Sequence, residues 1–175
     1  TSLDKKNPNS TIGQDDSFLN DYTGTVNNDN DFTGIADEIF NAFKLGRAAI
    51  IARSYDVRDE QAKIIRDRVS KVIAIRAVAY LQQAKVALPD DRNNTTAYGT
   101  AFQLLSEGYG FVYSLRFTRM PDSDQPYFTK AEVDSMLSSL LEDGPNGLWD
   151  VKNSTLDSIS ESIAARFDFT VAQAG

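Results

Sequence analysis

Ser106-Glu107-Gly108-Tyr109-Gly110-Phe111-Val112-Tyr113-Ser114-Leu115-Arg116-Phe117 is the stretch on which the fold turns. Extended back to Thr95 and on to Thr118, it shows no strand-like alternation. Tyr98, Phe102, Leu104, Leu105, Tyr109, Phe111, Val112 and Leu115 instead cover most of a helical circumference. A helix apolar on most sides is expected at the centre of a bundle. One narrow stripe, Gln103, Ser106, Glu107, Gly110 and Ser114, interrupts it. There an acid lies between two glycines, each of which costs a helix interior roughly 1 kcal/mol relative to alanine. A buried carboxylate without a partner costs more still.

Helical periodicity continues on both sides. From Phe32, the residues Ile35, Ile39, Phe43, Ala49 and Ile50 approximate one face, with Phe40, Arg47 and Ile51 beside it. Tyr55-Asp56 breaks the run, and Asp56 is placed to cap a second helix reaching about Leu88, with Ile65, Val69, Val72 and Tyr80 as its stripe and Arg76 in register. Pro89-Asp90-Asp91 ends it. Thr129-Lys130-Ala131-Glu132 is a capping box opening a fourth helix to about Leu141. Asp143–Gly147 reads as a turn, with Leu148-Trp149 plugging the core beside it. A fifth helix starts at Asn153 or Ser154 and turns Leu156, Ile159, Ile163 and Phe167 inward. The fold class is therefore all-α, a bundle of four to five helices over residues 32–175. Residues 1–31, rich in Asn, Asp, Ser, Thr and Gly, are expected to form a polar, irregular arm or extended segment.

Composition narrows the chemistry. The chain has 175 residues, a net charge of -7, no histidine and no cysteine. Thiol catalysis, Ser-His-Asp triads and Cys/His zinc sites are thereby removed, and no cofactor is called for. Carboxylate chemistry and oxygen-ligand metal sites survive. The acidic balance argues against nucleic acid and against an anionic membrane surface, and no apolar run is long enough for a membrane span. The chain begins at Thr1 without a signal segment, which reads as a processed or trimmed form.

Five side chains are candidate ligand-binding residues: Glu107, Arg47, Arg76, Tyr109 and Tyr113. Glu107 has two readings. In one it is a structural ion pair with Arg47 or Arg76, whose forked guanidinium suits a buried carboxylate. In the other it is a functional acid in a dry pocket, its proton affinity raised by burial. The tyrosines are core residues with hydroxyls at the edge, or the wall of a ligand cage. Gly108 and Gly110 permit close approach of a neighbouring helix or of a ligand. A calcium loop is outlined by Asp29, Asp31, Thr33 and Asp37, with Gly34 at the turn, but Phe40 stands where a bidentate Glu belongs. The alternative is an Asp/Asn-rich helix start. Asn9, Asn93, Asn94 and Asn153 begin glycosylation-type triplets at a frequency that chance accounts for.

The Ser106–Phe117 block resembles the signature of a bacterial envelope family, the domain of unknown function 4856. Ala42-Phe43-Lys44-Leu45-Gly46-Arg47-Ala48-Ala49-Ile50 and Asn146-Gly147-Leu148-Trp149-Asp150 are similar to further pieces of it. The resemblance covers roughly residues 33–167 and implies the later part of a longer family chain. It also implies a lipoprotein of the bacterial cell envelope, in the periplasm or on the outer surface, distantly imelysin-like and linked to iron uptake. The imelysin His-x-x-Glu motif has no counterpart, since Leu104 stands three places before Glu107.

Three functions fit these residues. The first is a non-enzymatic envelope module that binds another protein chain or an envelope ligand, in connection with iron acquisition. The second is a structural subunit or fragment of a larger assembly. The third is a carboxylate-dependent hydrolase built on Glu107 and a nearby Asp.

Overall fold

The structure is a computed structural model and describes residues 17–89, 95–123 and 125–175. Among the described residues there are seven α-helices and no strand. They are α1 (Ser17–Asn27), α2 (Ile35–Ile51), α3 (Tyr55–Ala87), α4 (Thr95–Ser114), α5 (Lys130–Leu141), α6 (Asn153–Arg166) and α7 (Val171–Ala174). The all-α class is as expected, and the five expected helices correspond to α2 through α6. No helix among the described residues is long and apolar enough to cross a membrane.

The chain forms two compact units. One comprises Thr1–Val72 with Arg119–Gln125, the other Ile73–Thr118 with Pro126–Gly175. The compositional boundary at residue 31 thus falls inside the first unit. The expected irregular arm needs correction as well: its described part is helix α1, while residues 1–16 lie outside the described residues. Asn20, Thr23 and Val26 share the buried side of α1, and α1 packs on α2. An 11-residue helix this polar is held by tertiary burial rather than by its own propensity, which composition does not reveal.

In the first unit, α2 buries Ile35, Ala36, Ile39, Ala42, Gly46 and Ala49. The spacing is helical, but the face is rotated from the one that the large side chains mark, and Phe43 and Ile50 lie on its exposed flank. Gly46 explains the choice. A Cβ there would lie 3.4 Å from the Cβ of Gln61 on α3, so small residues form the seam of an α2–α3 hairpin. The helix ends in a Schellman motif: Ser54 N–H donates to the Ala49 carbonyl at 2.9 Å and Arg53 N–H to the Ile50 carbonyl at 3.1 Å. Arg53 has φ 57, the left-handed position that glycine usually fills. Helix α3 begins at Tyr55, so Asp56 lies in its first turn rather than capping it.

In the second unit the enclosed helix is the Ile73–Ala87 part of α3, not α4. Ala74, Ile75, Ala77, Val78, Ala79, Leu81 and Ala84 are all buried there. Alanines carry little hydropathy signal, yet they let neighbours pack from several directions. Helix α4 is amphipathic instead. It buries the seam Tyr98, Ala101, Leu105, Gly108 and Val112 and leaves Phe102, Gln103, Ser106, Gly110 and Tyr113 exposed. Gly108 lies against α3, where a Cβ would come within 3.0 Å of Leu81 Cδ2. Helix α5 packs on α4 and α6, and its start carries the expected capping box, Thr129 with Glu132. Lys85 Nζ reaches both oxygens of Asp157 at 2.6 and 2.7 Å, and Gln82 donates to Asp157 and Ser160, tying α3 to α6. Trp149 stacks on Tyr98 with ring centroids 4.0 Å apart, which fills the place expected of the Leu148-Trp149 pair.

Candidate functional site

Glu107 is half-buried on α4 and forms no ion pair among the described residues. The stripe that carries it faces outward, with Gln103, Ser106 and Gly110 exposed. The expectation of a dry, arginine-held acid is therefore corrected. The buried seam of α4 runs on the other side of the helix, and Glu107 at its edge keeps access to water.

The two candidate arginines are used otherwise. Arg47 is exposed on α2, in the first unit, whereas Glu107 belongs to the second. Arg76 is half-buried and lays its guanidinium over the Tyr80 ring, 4.4 Å from the centroid. Tyr80 in turn stacks on Phe111 at 5.5 Å. Such a cation–π contact gives the guanidinium an electrostatic partner in the ring. Tyr109 is half-buried. Tyr113 is exposed and carries the Arg116 guanidinium over its ring at 4.3 Å, with Phe117 beside it at 6.0 Å. Arg116 also pairs with Asp134 of α5. Glu107, Arg76, Tyr109 and Tyr113 belong to the second unit and Arg47 to the first.

Of the paired glycines, only Gly108 serves close helix packing. A Cβ on Gly110 would meet nothing within 4 Å.

Residues of the calcium outline take part in the turn that opens α2. Asp29 Oδ1 accepts the Asp31 N–H at 2.9 Å, and Thr33 Oγ1 donates to the Asp29 carbonyl at 2.9 Å. Asn27 Oδ1 accepts from the N–H groups of Gly34 and Ala36 at 3.0 and 3.1 Å, which satisfies donors that the first turn of α2 leaves open. Gly34 has φ 100 there. Among the described residues no three acidic side chains come together as a metal site. The triplets starting at Asn9, Asn93 and Asn94 begin outside the described residues, and Asn153 opens α6.

The surface feature that sequence reasoning missed is the exposed flank of α2 together with the α2–α3 turn that it leads into. Phe43 is 46% exposed, Ile50 55%, Ile51 77% and Tyr55 53%, and every residue from Ile50 to Val57 is exposed. Phe43, Arg47 and Ile50 recur at helical spacing along α2, so the apolar flank carries a cation within it. Lys44, Arg47 and Arg53 are exposed and form no ion pair among the described residues. Large apolar side chains concentrated on one exposed flank, with charge around them, mark an interaction surface more often than chance scatter does. The available sequence signal was the small-residue spacing Ala42, Gly46 and Ala49, which assigns the buried seam and leaves Phe43 and Ile50 outside it.

Elsewhere, a depression of about 460 Å³ beside the end of α3 is lined by residues that include Gln82, Lys85, Val86, Val171 and Ala172. None of the sequence-predicted candidates lines it.

The family model for a Domain of unknown function (DUF4856) matches residues 2–170. The match extends across the N-terminal segment that the resemblance in the sequence did not cover. No curated protein and no solved structure matches the chain.

Proposed function

The chain belongs to the domain of unknown function 4856 family, and from that premise we propose that it is a non-enzymatic helical module of the bacterial envelope that works by binding another protein through the exposed flank of α2 and its turn into α3. The observation that carries the reading is the exposure of Phe43, Ile50, Ile51 and Tyr55 along one flank of α2 and its turn into α3. Burying a side chain of this kind contributes about 1.5–3 kcal/mol. A few of them therefore outweigh the ordering cost of a modest interface.

The character of the surface favours a protein partner over a small chelate. It presents large exposed side chains, Phe43, Ile50, Ile51 and Tyr55. The envelope location is drawn from the resemblance of the Ser106–Phe117 block, and the absence of histidine and cysteine in the whole chain is in keeping with a binding role.

A photo-cross-linking residue in place of Ile51, compared with one in place of the exposed Glu161 on α6, tests this in cells. A discrete protein adduct at position 51 and none at 161 is the expected result. No adduct at 51, or equal adducts at both positions, removes the reading.

A further inference from the structure

We propose that Asn146 is a self-modification site, at which the chain turns asparagine into aspartate or isoaspartate once the turn before α6 opens, and that Asp150 withholds the reaction while the turn is closed. Asn146-Gly147 is the single Asn-Gly pair of the chain. The step needs only the chain and water. The Gly147 amide nitrogen attacks Asn146 Cγ, the bond from Cγ to Nδ2 breaks, and Nδ2 leaves as ammonia with the Gly147 proton. Water then opens the resulting succinimide. Cleavage at the side-chain carbonyl gives aspartate, and cleavage at the main-chain carbonyl gives isoaspartate. Glycine has no Cβ to hinder ring closure, and Asn146 is exposed to the water that completes the step.

Two features of the closed turn oppose this reaction. The first is the backbone. Asn146 has ψ 21, which points the Gly147 nitrogen away from the side chain that it must attack. Closure requires the rotation that brings this nitrogen over Cβ. The second is Asp150. Asn146 Nδ2 donates to Asp150 Oδ2 at 3.0 Å and to Oδ1 at 3.3 Å, and the Asn146 N–H donates to Oδ2 at 2.8 Å. Hydrogen bonds to an ionised acceptor are the stronger kind. The carboxylate is itself seated over the turn, since a Cβ on Gly144 would collide with it. The reaction therefore waits for the Asn146–Asp150 bonds to break.

Once it has run, the turn no longer closes as before. A carboxylate at 146 offers acceptors where Nδ2 offered donors, and it sets a like charge against Asp150. Isoaspartate also adds a methylene to the main chain. The disturbance has a short path to the core: Trp149 N–H donates to the Asn146 carbonyl at 3.3 Å, and the Trp149 ring stacks on buried Tyr98. Modification at 146 thus converts a reversible opening into a permanent one.

The test is incubation of the full chain at mildly alkaline pH, folded and in denaturing urea, with peptide mass mapping to follow the exchange of amide for carboxylate at 146. The folded wild type is expected to react at least about tenfold more slowly than the chain in urea, the factor that one hydrogen bond to a charged group supplies. Folded Asp150→Asn keeps the shape over Gly144 without the charge and should react about tenfold faster than folded wild type. Asp150→Ser carries the same expectation, and circular dichroism shows which of the two variants folds. Asn146→Asp, which places the carboxylate directly, should shift the Trp149 emission and lower the unfolding midpoint. Equal rates in the folded chain and in urea, or no reaction at 146 in urea, overturn the site. Folded Asp150 variants that react at the wild-type rate overturn the role of Asp150. An Asn146→Asp variant with wild-type emission and midpoint overturns the permanent opening.

Discussion

Arg166, at the end of α6, donates to Glu132 Oε1 at 2.9 Å, so the acid that completes the capping box of α5 also ties α5 to α6. The same guanidinium donates to the Tyr127 carbonyl at 2.6 Å and lies over the Phe128 ring at 4.5 Å. The Glu132 carboxyl is held at about 2, first by the Thr129 backbone N–H, then by Arg166 and the Thr129 hydroxyl. Its folded value lies below its ordinary value of 4.5. The stabilisation is therefore complete above pH 4.5 and is lost as pH falls toward 2. Glu132→Ala should cost about 1 kcal/mol at neutral pH, a capping-sized effect reduced by solvent exposure. In urea unfolding, the gap between variant and wild type should narrow steadily below pH 4.5. A gap that stays constant to pH 2.5 would show that the carboxylate contributes nothing through its charge.

Tyr98 is fully buried, and its hydroxyl is shared between the carbonyls of Leu148 and Trp149 at 2.9 and 2.8 Å. Tyr98→Phe keeps the ring stacked on Trp149 but leaves the two carbonyls without that donor. A loss of about 1–3 kcal/mol is expected. Trp149 is the single tryptophan of the chain, so its emission reports both the unfolding midpoint and any change in the stack. A midpoint equal to wild type would mean that water replaces the hydroxyl at no cost.

Much of this architecture is legible in the sequence, and the failures share a cause. The capping box at Thr129 and the inward face of α6 depend on local spacing, and spacing is what a sequence displays. The rotation of α2, the central position of α3 and the helicity of α1 depend on which neighbour each face meets. There, small residues decide: Gly46 and Ala49 on α2, and Ala74, Ala77 and Ala84 on α3. Ranking residues by hydrophobicity sets Phe43 and Ile50 ahead of Ala42 and Gly46, which form the seam together with the expected Ile35, Ile39 and Ala49. The same ranking placed Glu107 indoors, because Phe102 and Tyr113 were counted as core although the structure leaves them outside. The candidate site was hidden for the same reason, since residues assigned to a core are not sought on a surface.

Gly108 and Gly110 offer a paired test of that distinction. A Cβ at 108 would meet Leu81 Cδ2 at 3.0 Å, and one at 110 would meet nothing within 4 Å. Gly110→Ala should stabilise the protein by about 0.5–1 kcal/mol, the ordinary gain from replacing a helical glycine. Gly108→Ala should forfeit that gain and cost about 1–3 kcal/mol through overpacking. Thermal melts of the two variants should move in opposite directions. Equal upward shifts would mean that Leu81 yields without cost and that Gly108 is no close-packing residue.

Arg53 separates stability from binding. A left-handed arginine costs roughly 1–2 kcal/mol relative to its preferred conformations, and glycine recovers part of this after its own larger entropy loss. Arg53→Gly should therefore raise unfolding stability by about 0.5–1 kcal/mol. The same change deletes a cation beside Ile50 and Ile51 that forms no ion pair among the described residues, so it should weaken capture of a partner at position 51. A variant more stable yet poorer at partner capture is the expected combination, read by denaturant unfolding and by the yield of the position-51 cross-linked adduct. A rise in stability with an unchanged adduct yield would remove Arg53 from the binding surface. If stability also fell, the strain argument itself would fail, because the arginine would then be gaining more from its surroundings than its backbone gives up.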